Sequence, residues 1–202
     1  LKIKNCNILN TDYPAIYIDN SIAEIENNII QNSKQNGISI NNSKDIKIIG
    51  NKLSNIDASS ISFINSTGLI HQNRIFEIKG NGVFVDQNSD VKISENEINS
   101  DYPGIAILMN SKAIISKNKI MKATYNGISI RMALFVIIEE CQLTDINDCG
   151  ISISDTENCI VRNNNITNCN RSAIESNNQS KVNVIGNKIV NIQGYAFLVY
   201  TS

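Results

Sequence analysis

Apolar and polar positions alternate in short runs along the chain, and the runs recur at a fixed spacing. The pattern apolar-x-x-Asn-x-apolar has its asparagine at Asn28, Asn51, Asn73, Asn96, Asn118, Asn164 and Asn187, and cysteine fills the same slot at Cys6 and Cys141. Successive slots lie 22 or 23 residues apart. Self-similarity at such a period is typical of a solenoid, in which similar coils stack on one another.

A second motif keeps the same period. The phrase NGISI occurs at 36–40 and again at 126–130, and related sequences begin at Ala15, Gly37, Ser60, Gly82, Gly104, Gly127, Gly150, Ala173 and Ala196. A further apolar pair, such as Ile46 and Ile48, precedes each asparagine slot. Each repeat therefore holds three short alternating runs, and alternation with a period of two predicts strands.

Composition agrees with many short strands joined by tight turns. The chain has 39 Ile and 33 Asn among 202 residues. Isoleucine favours half-buried pleated surfaces, whereas asparagine suits turns and tolerates left-handed backbone. Codon bias in an AT-rich genome is an alternative source of this composition, but bias alone does not place residues periodically.

These patterns predict an all-β fold, a right-handed single-stranded parallel β-helix of about nine coils with an asparagine ladder at one turn. A leucine-rich repeat has a similar period, but it needs a leucine-rich consensus and one strand per repeat. The repeats run throughout 1–202, so we expect a single domain. Natural solenoids cap their terminal repeats, and this sequence shows no capping helix before the first repeat or after the last. We therefore also expect this domain to be a fragment of a longer protein.

A column of charges supports the register of the coils. Residues of alternating sign stand four positions before the first strand residue of five successive NGISI-like motifs, at Asp12, Lys34, Asp57, Lys79 and Asp101. At one-coil spacing they would form surface ion pairs, and a slipped register would lose the alternation.

The ladder, the three strands per coil and the GIxI signature resemble the right-handed parallel β-helix repeats of the pectate-lyase-like superfamily. The resemblance covers the whole chain. It implies one of two functions, because the superfamily includes polysaccharide lyases, glycoside hydrolases and alginate epimerases as well as carbohydrate-binding and recognition domains. In its enzymes the active groove lies on the outward face of the GIxI strand, so we expect a site on that face here.

Candidates for catalysis on this face are sparse. Asp86 and Arg131 lie two coils apart, roughly 10 Å, and could act as a base and a charge neutraliser, or they are two solvated surface charges. Asp155 and Glu175 lie on neighbouring coils with the strand between them. The Asp-Pro-His-Asp motif that the resemblance implies for an alginate epimerase does not occur.

Apolar residues are more prominent on the same face. Ile64, Phe84, Ala106 and Leu108 fall on adjacent coils, and Met109, Met132, Leu134 and Phe135 continue them into the next turn. A contiguous apolar patch usually marks a contact surface, either for a partner or for another part of the parent protein. Tyr102 and Tyr125, neighbours in a loop column, could stack on a sugar ring or on each other. Ile114, Ile137 and Ile160 form another outward stack.

No metal or cofactor site is expected. The only histidine, His71, lacks cysteine or carboxylate neighbours at ligand spacing, and the five cysteines show no CxxC or zinc spacing. Unpaired buried thiols favour a reducing compartment. A net charge of −1 argues against nucleic-acid partners, and no apolar run approaches the length of a membrane span.

The leading hypothesis is therefore a non-catalytic β-helix recognition or scaffold module. Its partner would be a protein, the remaining domains of the parent chain, or a polysaccharide. The alternative is a fragment of a polysaccharide-acting enzyme, a lyase, glycoside hydrolase or epimerase.

Overall fold

The computed structural model describes residues 1–201, in which 27 strands form three parallel nine-stranded sheets and no helix occurs. Sheet A contains β1 (Lys2–Lys4), β4 (Glu24–Glu26), β7 (Ile46–Ile49), β10 (Thr67–His71), β13 (Asp90–Ser94), β16 (Lys112–Ser116), β19 (Phe135–Glu139), β22 (Cys159–Arg162) and β25 (Val182–Ile185). Sheet B contains β2 (Asn7–Thr11), β5 (Ile29–Ser33), β8 (Lys52–Ile56), β11 (Arg74–Ile78), β14 (Glu97–Ser100), β17 (Lys119–Met121), β20 (Gln142–Ile146), β23 (Asn165–Cys169) and β26 (Lys188–Ile192). Sheet C contains β3 (Ile16–Asp19), β6 (Ile38–Asn41), β9 (Ile61–Ile64), β12 (Val83–Asp86), β15 (Ile105–Ile107), β18 (Ile128–Arg131), β21 (Ile151–Ser154), β24 (Ile174–Asn177) and β27 (Phe197–Tyr200).

The strand order confirms the predicted coil. Every third strand along the chain pairs with the same sheet, so one coil supplies one strand to each of sheets A, B and C. The register follows the sequence period, because Ile38 pairs with Ile61 and Ile40 with Phe63 in neighbouring coils. The chain is thus a parallel β-helix of nine coils.

The interior of the helix is filled by aliphatic side chains from all three sheets. Ile38 and Ile40 of sheet C, Ile46 and Ile48 of sheet A and Leu53 of sheet B are completely buried, as the alternation predicts. Full burial of such a side chain contributes about 1.5–3 kcal/mol. Since identical positions repeat in each coil, the core is a set of stacked ladders.

The asparagine ladder lies at the turn between sheets A and B. Between Asn28 and Asn118 each side-chain amide donates to the carbonyl oxygen of the next asparagine at 2.9–3.0 Å. The same carbonyl oxygen also accepts the backbone N–H of the preceding asparagine, as Asn73 Oδ1 does from Asn51 at 2.9 Å. Buried amides at this turn are therefore satisfied by the neighbouring coils, as buried polar groups must be.

Left-handed backbone explains much of the remaining asparagine. The residue before every ladder slot has positive φ. It is asparagine at Asn5, Asn27 and Asn163 and glycine at Gly50 and Gly186. Asparagine tolerates this conformation better than other side chains do. A second, exposed ladder forms at another left-handed column, where Asn32 donates to Asn10 at 2.8 Å and Asn55 to Asn32 at 2.7 Å.

The column of alternating charges forms two ion pairs. Lys34 lies 2.6 Å from Asp12 and Lys79 lies 2.7 Å from Asp57. In each case the hydrogen bond to the aspartate raises the pKa of the lysine. The column is thus paired two by two rather than as a continuous ladder, and because the side chains are exposed each pair stabilises the fold little.

Close stacking of coils explains the glycine at the start of the sheet C strand. A Cβ at Gly37 would lie 2.8 Å from the carbonyl oxygen of Ser60 and 2.9 Å from Cδ2 of Leu53. Both distances are shorter than a carbon atom tolerates. At this coil glycine therefore fits the close approach of the next one, although other coils carry alanine or serine at the equivalent position.

Candidate functional site

The outward face of sheet C is the surface on which the sequence predicts a site. Side chains alternate along each strand, and those that point outward form columns one coil apart. Small side chains in these columns, Ser39, Ser62 and Ala106, are buried, whereas Tyr17 is exposed. The face is therefore a closely packed surface from which only the larger side chains project.

The predicted apolar residues lie on three successive coils of this face, and Asp86 separates Ile64 from Leu108. Ile64 ends β9 and pairs with Asp86 of β12, and Leu108 follows β15 and donates its backbone N–H to Val85. Phe84 lies at the centre of β12, between Ser62 and Ala106 of the neighbouring strands. Ile64, Phe84 and Leu108 are half-buried. Part of each side chain is thus available to a ligand.

Tyr102 and Tyr125 stand at the edge of the face where the chain enters sheet C. Their ring centroids are 4.9 Å apart with an angle of 31° between the ring planes, and each residue is 49% exposed. The sequence left open whether these rings stack on a sugar or on each other, and in the structure they contact each other. Aromatic pairs at this separation are favourable, and the exposed half of each ring still faces solvent.

Two methionines occupy the opposite edge, where the chain leaves sheet C. Met109 and Met132 both have positive φ, in a turn where four other coils use asparagine, at Asn20, Asn42, Asn65 and Asn178. The backbone N–H of Asn110 donates to the carbonyl of Met132, so the two turns are adjacent. Both methionine side chains are exposed. A bulky apolar residue in left-handed backbone is unfavourable, so this edge combines local strain with exposed apolar surface.

Asp86 and Arg131, the predicted catalytic candidates, do not form an ion pair in residues 1–201. Asp86 is 9% exposed, so it is not the solvated charge that the sequence suggested as an alternative, and its Oδ1 accepts the backbone N–H of Gln87 at 2.8 Å. Arg131 is exposed.

Hydrogen bonds from Ser154 and Asn178 lower the pKa of Asp155, with a smaller contribution from the charge of Arg131.

A polar cluster that the sequence did not predict surrounds Glu175. This glutamate is 3% exposed although it points outward from β24. Its Oε2 lies 3.1 Å from the guanidinium of Arg171 and accepts from the thiol of Cys149 at 3.4 Å, and its Oε1 accepts from the hydroxyl of Tyr200 at 3.2 Å. Burial, together with the charges of Glu175 and Asp148, raises the pKa of Cys149 to about 12. This thiol is therefore protonated and unreactive at neutral pH.

The other polar candidates are accounted for by the fold. His71 is half-buried, and its Nδ1 lies 2.9 Å from Ser94 Oγ. Cys141, Cys159 and Cys169 are buried free thiols, and Cys6 is a free thiol in the first coil. Within residues 1–201, no three His, Cys, Asp or Glu side chains are grouped so that they could hold a metal ion. The same residues contain no helix of the length and apolarity that crossing a membrane requires.

Comparison with known proteins identifies the repeat. A family profile described as a right handed beta helix region matches residues 1–106 and 59–202. No match was found among curated protein sequences. The family match covers the whole chain and agrees with the three parallel sheets, so the fold is a right-handed parallel β-helix of the pectate-lyase-like type.

Solved structures with this fold include polysaccharide-acting enzymes. The A-module of mannuronan C-5 epimerase AlgE6 of Azotobacter vinelandii superposes on 96% of this chain with a TM-score of 0.60 at 15% identity, over 63% of its own length. The AlgE4 A-module of the same organism superposes on 90% of this chain with a TM-score of 0.64 at 11% identity, over 64% of its own length. An α-1,3-glucanase catalytic unit of Streptomyces thermodiastaticus superposes on 100% of this chain with a TM-score of 0.65 at 10% identity, over 47% of its own length. The chain thus spans less than two thirds of each of these modules, and the likeness concerns the fold alone.

Proposed function

The chain belongs to the right-handed β-helix family, and from that premise we propose that it is a non-catalytic recognition module that binds a protein or polysaccharide on the outward face of sheet C. The observation that carries the proposal is the cluster of Ile64, Phe84 and Leu108, half-buried apolar side chains on adjacent coils of that face. Apolar side chains that remain accessible side by side usually mark a contact surface.

The edges of the face extend this surface. Tyr102 and Tyr125 present half-exposed rings on one edge, and Met109 and Met132 present exposed side chains on the other. Tyrosine combines a large apolar area with a polar tip, which suits both sugar rings and protein partners. Methionine adapts its shape to a partner. Each interior strand of sheet C is hydrogen-bonded to a neighbouring strand on both sides. The face is therefore rigid, and little conformational entropy is lost on binding.

The proposal is tested with the double variant Phe84→Asp/Leu108→Asp and a matched control, Ile29→Asp. Ile29 is an exposed isoleucine on sheet B, far from the proposed face. Proton NMR of neutral and uronic-acid polysaccharides, recorded with each form of the chain, detects binding as broadening of the sugar signals. Protein partners are captured on the immobilised chain. We expect the double variant to lose binding and the control to retain it, at similar melting temperatures. Equal binding by both would reject this face.

A second candidate function is a fragment of a polysaccharide lyase, glycoside hydrolase or epimerase. The observation that favours it is Asp86, a nearly buried carboxylate on the outward column of sheet C next to Leu108. In this reading Asp86 is the base and Arg131 neutralises substrate charge, and no cofactor takes part. The same NMR experiment would then reveal new sugar signals. Asp86→Asn and Arg131→Ala would each abolish them without unfolding the chain, whereas signals that persist in both variants would remove these residues from catalysis.

A further inference from the structure

The outward face of sheet A carries an apolar stack that the proposed function does not use. Ile114, Ile137 and Ile160 are paired one above another in β16, β19 and β22. Each is half-buried. Phe135, at the start of β19, is 37% exposed beside Lys112. This face therefore has an apolar centre on β19 and its two neighbouring strands.

Charged residues flank this centre along one column. The column contains Asp90, Lys112, Phe135, Asn158 and Lys181, one from each successive coil. Glu157 precedes Asn158, and all these residues are exposed. Within the part of the chain that the structure describes, no salt bridge involves Asp90, Lys112, Glu157 or Lys181, although Asp90 and Lys112 occupy paired positions. These four charges remain open to an external partner.

The charges of this column are complementary to those of the same column running in the opposite direction. Reversal about β19 places Asp90 opposite Lys181 and exchanges Lys112 with the Glu157–Asn158 pair. The same reversal places Ile114 opposite Ile160, returns Ile137 to itself, and places Lys92 of β13 opposite the polar Asn183 of β25. A twofold axis that lies in the interface along β19 performs this reversal, and such an isologous contact is the commonest arrangement of homodimers.

We propose that a second copy of this chain docks on the outward face of sheet A, with the two solenoids antiparallel about a twofold axis along β19. Isoleucines of the two copies pack at the centre, and Asp90 and Lys112 of each copy pair with Lys181 and Glu157 of the other. The sheet C face stays free in this arrangement, so dimerisation would bring two binding faces together in one assembly.

The one like-charge contact on the axis is neutralised within each chain. Glu139 ends β19 and would meet its own symmetry mate. Its Oε2 lies 2.6 Å from Nη2 of Arg162 and also accepts from Nε of Arg162 at 2.8 Å. Two hydrogen bonds from one guanidinium to this oxygen compensate the carboxylate charge. Glu139 therefore does not oppose the dimer.

The size of the face sets the expected affinity. Five strands at ~4.8 Å spacing and five residues at ~3.3 Å give a footprint of about 400 Å² per copy. Standard interfaces bury about 800 Å² per partner. We therefore expect a weak dimer, in equilibrium with monomer at micromolar to millimolar concentrations, whose affinity falls as salt is added.

Sedimentation equilibrium over this concentration range tests the proposal. Ile137→Lys should abolish the dimer, because it places two like charges on the axis, whereas Ile49→Lys should not. Ile49 is a half-buried isoleucine of the same sheet on β7, outside the five strands. Circular dichroism melting establishes that both variants are folded. A chain that stays monomeric at millimolar concentration, or a dimer unaffected by Ile137→Lys, would overturn the proposal.

A charge exchange tests the antiparallel geometry itself. Asp90→Lys and Lys181→Asp should each weaken the dimer by about tenfold, because each change alters two symmetry-related ion pairs. The double variant Asp90→Lys/Lys181→Asp restores opposite charges across the interface, so its dissociation constant should return close to that of the unaltered chain. A double variant weaker than either single variant would rule out the twofold axis along β19.

Discussion

The side-chain amide of Asn118 lies 4.0 Å from the Sγ of Cys141, at the one interior step of the ladder where a thiol replaces an amide. The backbone N–H of Cys141 still donates to Asn164 Oδ1 at 2.9 Å, as an asparagine in this slot would. The backbone geometry of the ladder therefore continues through this coil. What is missing are the amide–amide hydrogen bonds to Asn118 and to Asn164, and the side-chain oxygen that accepts a backbone N–H at the other steps, as Asn118 Oδ1 does from Asn96. The bond to the carbonyl oxygen of Ile115 is replaced by a thiol contact at 3.7 Å.

Restoring the amide should stabilise the protein. We predict that Cys141→Asn raises the free energy of unfolding by about 1 kcal/mol, because it replaces a weak sulfur contact with hydrogen bonds in a buried site. Urea denaturation measures the change. Asn118→Ala is the converse control, and it should lower the free energy of unfolding by about 1–3 kcal/mol since it leaves buried groups unpaired. A destabilised Cys141→Asn would mean that the slot has adapted its packing to sulfur.

A buried hydroxyl without a partner gives a second prediction. Ser60 is completely buried, and its Oγ has no hydrogen-bond partner among the described residues. Ser60→Ala removes this group and keeps the Cβ that already fits the coil. We expect the free energy of unfolding to stay equal or to rise by about 1 kcal/mol, measured by thermal and urea unfolding.

Ser33 provides the matched control for Ser60. It is equally buried, but its Oγ lies 3.1 Å from the carbonyl oxygens of both Tyr13 and Asn36. Ser33→Ala should therefore destabilise the protein by about 1–3 kcal/mol. Equal effects of the two substitutions would show that hydroxyl pairing does not distinguish these sites.

The close approach of coils at Gly37 predicts a steric penalty. Gly37→Ala places a Cβ 2.8 Å from the carbonyl oxygen of Ser60, which is backbone of the next coil and cannot rotate away. We expect a loss of about 1–3 kcal/mol, as for other overpacked sites. The measurement is the midpoint of urea unfolding. An unchanged midpoint would mean that the coil separation adjusts to accept a methyl group.

Much of the fold could be predicted from the sequence because a solenoid repeats its contacts at the sequence period. Asn51 and Asn73 are 22 residues apart and bond each other in the ladder, so a search for the period finds the contact directly. The inward isoleucines follow for the same reason, because the alternation within one strand is copied in the next. Asp12 and Lys34 were found in the same way.

Contacts that do not follow the period could not be found in this way. Cys149 and Glu175 are 26 residues apart, whereas the strand register places Glu175 beside Ser152. Their contact crosses diagonally from a turn to a strand, and it depends on side-chain rotamers that the repeat does not specify. The burial of Asp86 was missed for a similar reason, because the size of neighbouring outward side chains, not the alternation, decides how much water reaches it.

The buried thiols predict a loss of stability in alkaline solution. Burial raises the pKa of Cys159 from 9.0 to about 12 and that of Cys169 to about 11. Burial likewise raises the pKa of Cys141 to about 11. Thiols of the unfolded chain ionise near their ordinary pKa, whereas those of the folded chain stay protonated. The contribution of these thiols to the free energy of unfolding is therefore fully present below pH 9 and is lost as the pH rises towards 11 and 12. The reason is that the folded state then binds more protons than the unfolded state.

Cys159→Val isolates one of these thiols. Cys159 pairs with Val136 and Val182 of the neighbouring coils, so valine continues an existing column. We expect the variant to lose stability less steeply between pH 9 and 12, by up to about 1.4 kcal/mol per pH unit for the one thiol removed. The measurement is urea unfolding at a series of pH values under reducing conditions, with the unaltered chain in parallel. Identical slopes for the two proteins would mean that Cys159 ionises equally in the folded and unfolded states, and that its burial does not exclude the thiolate.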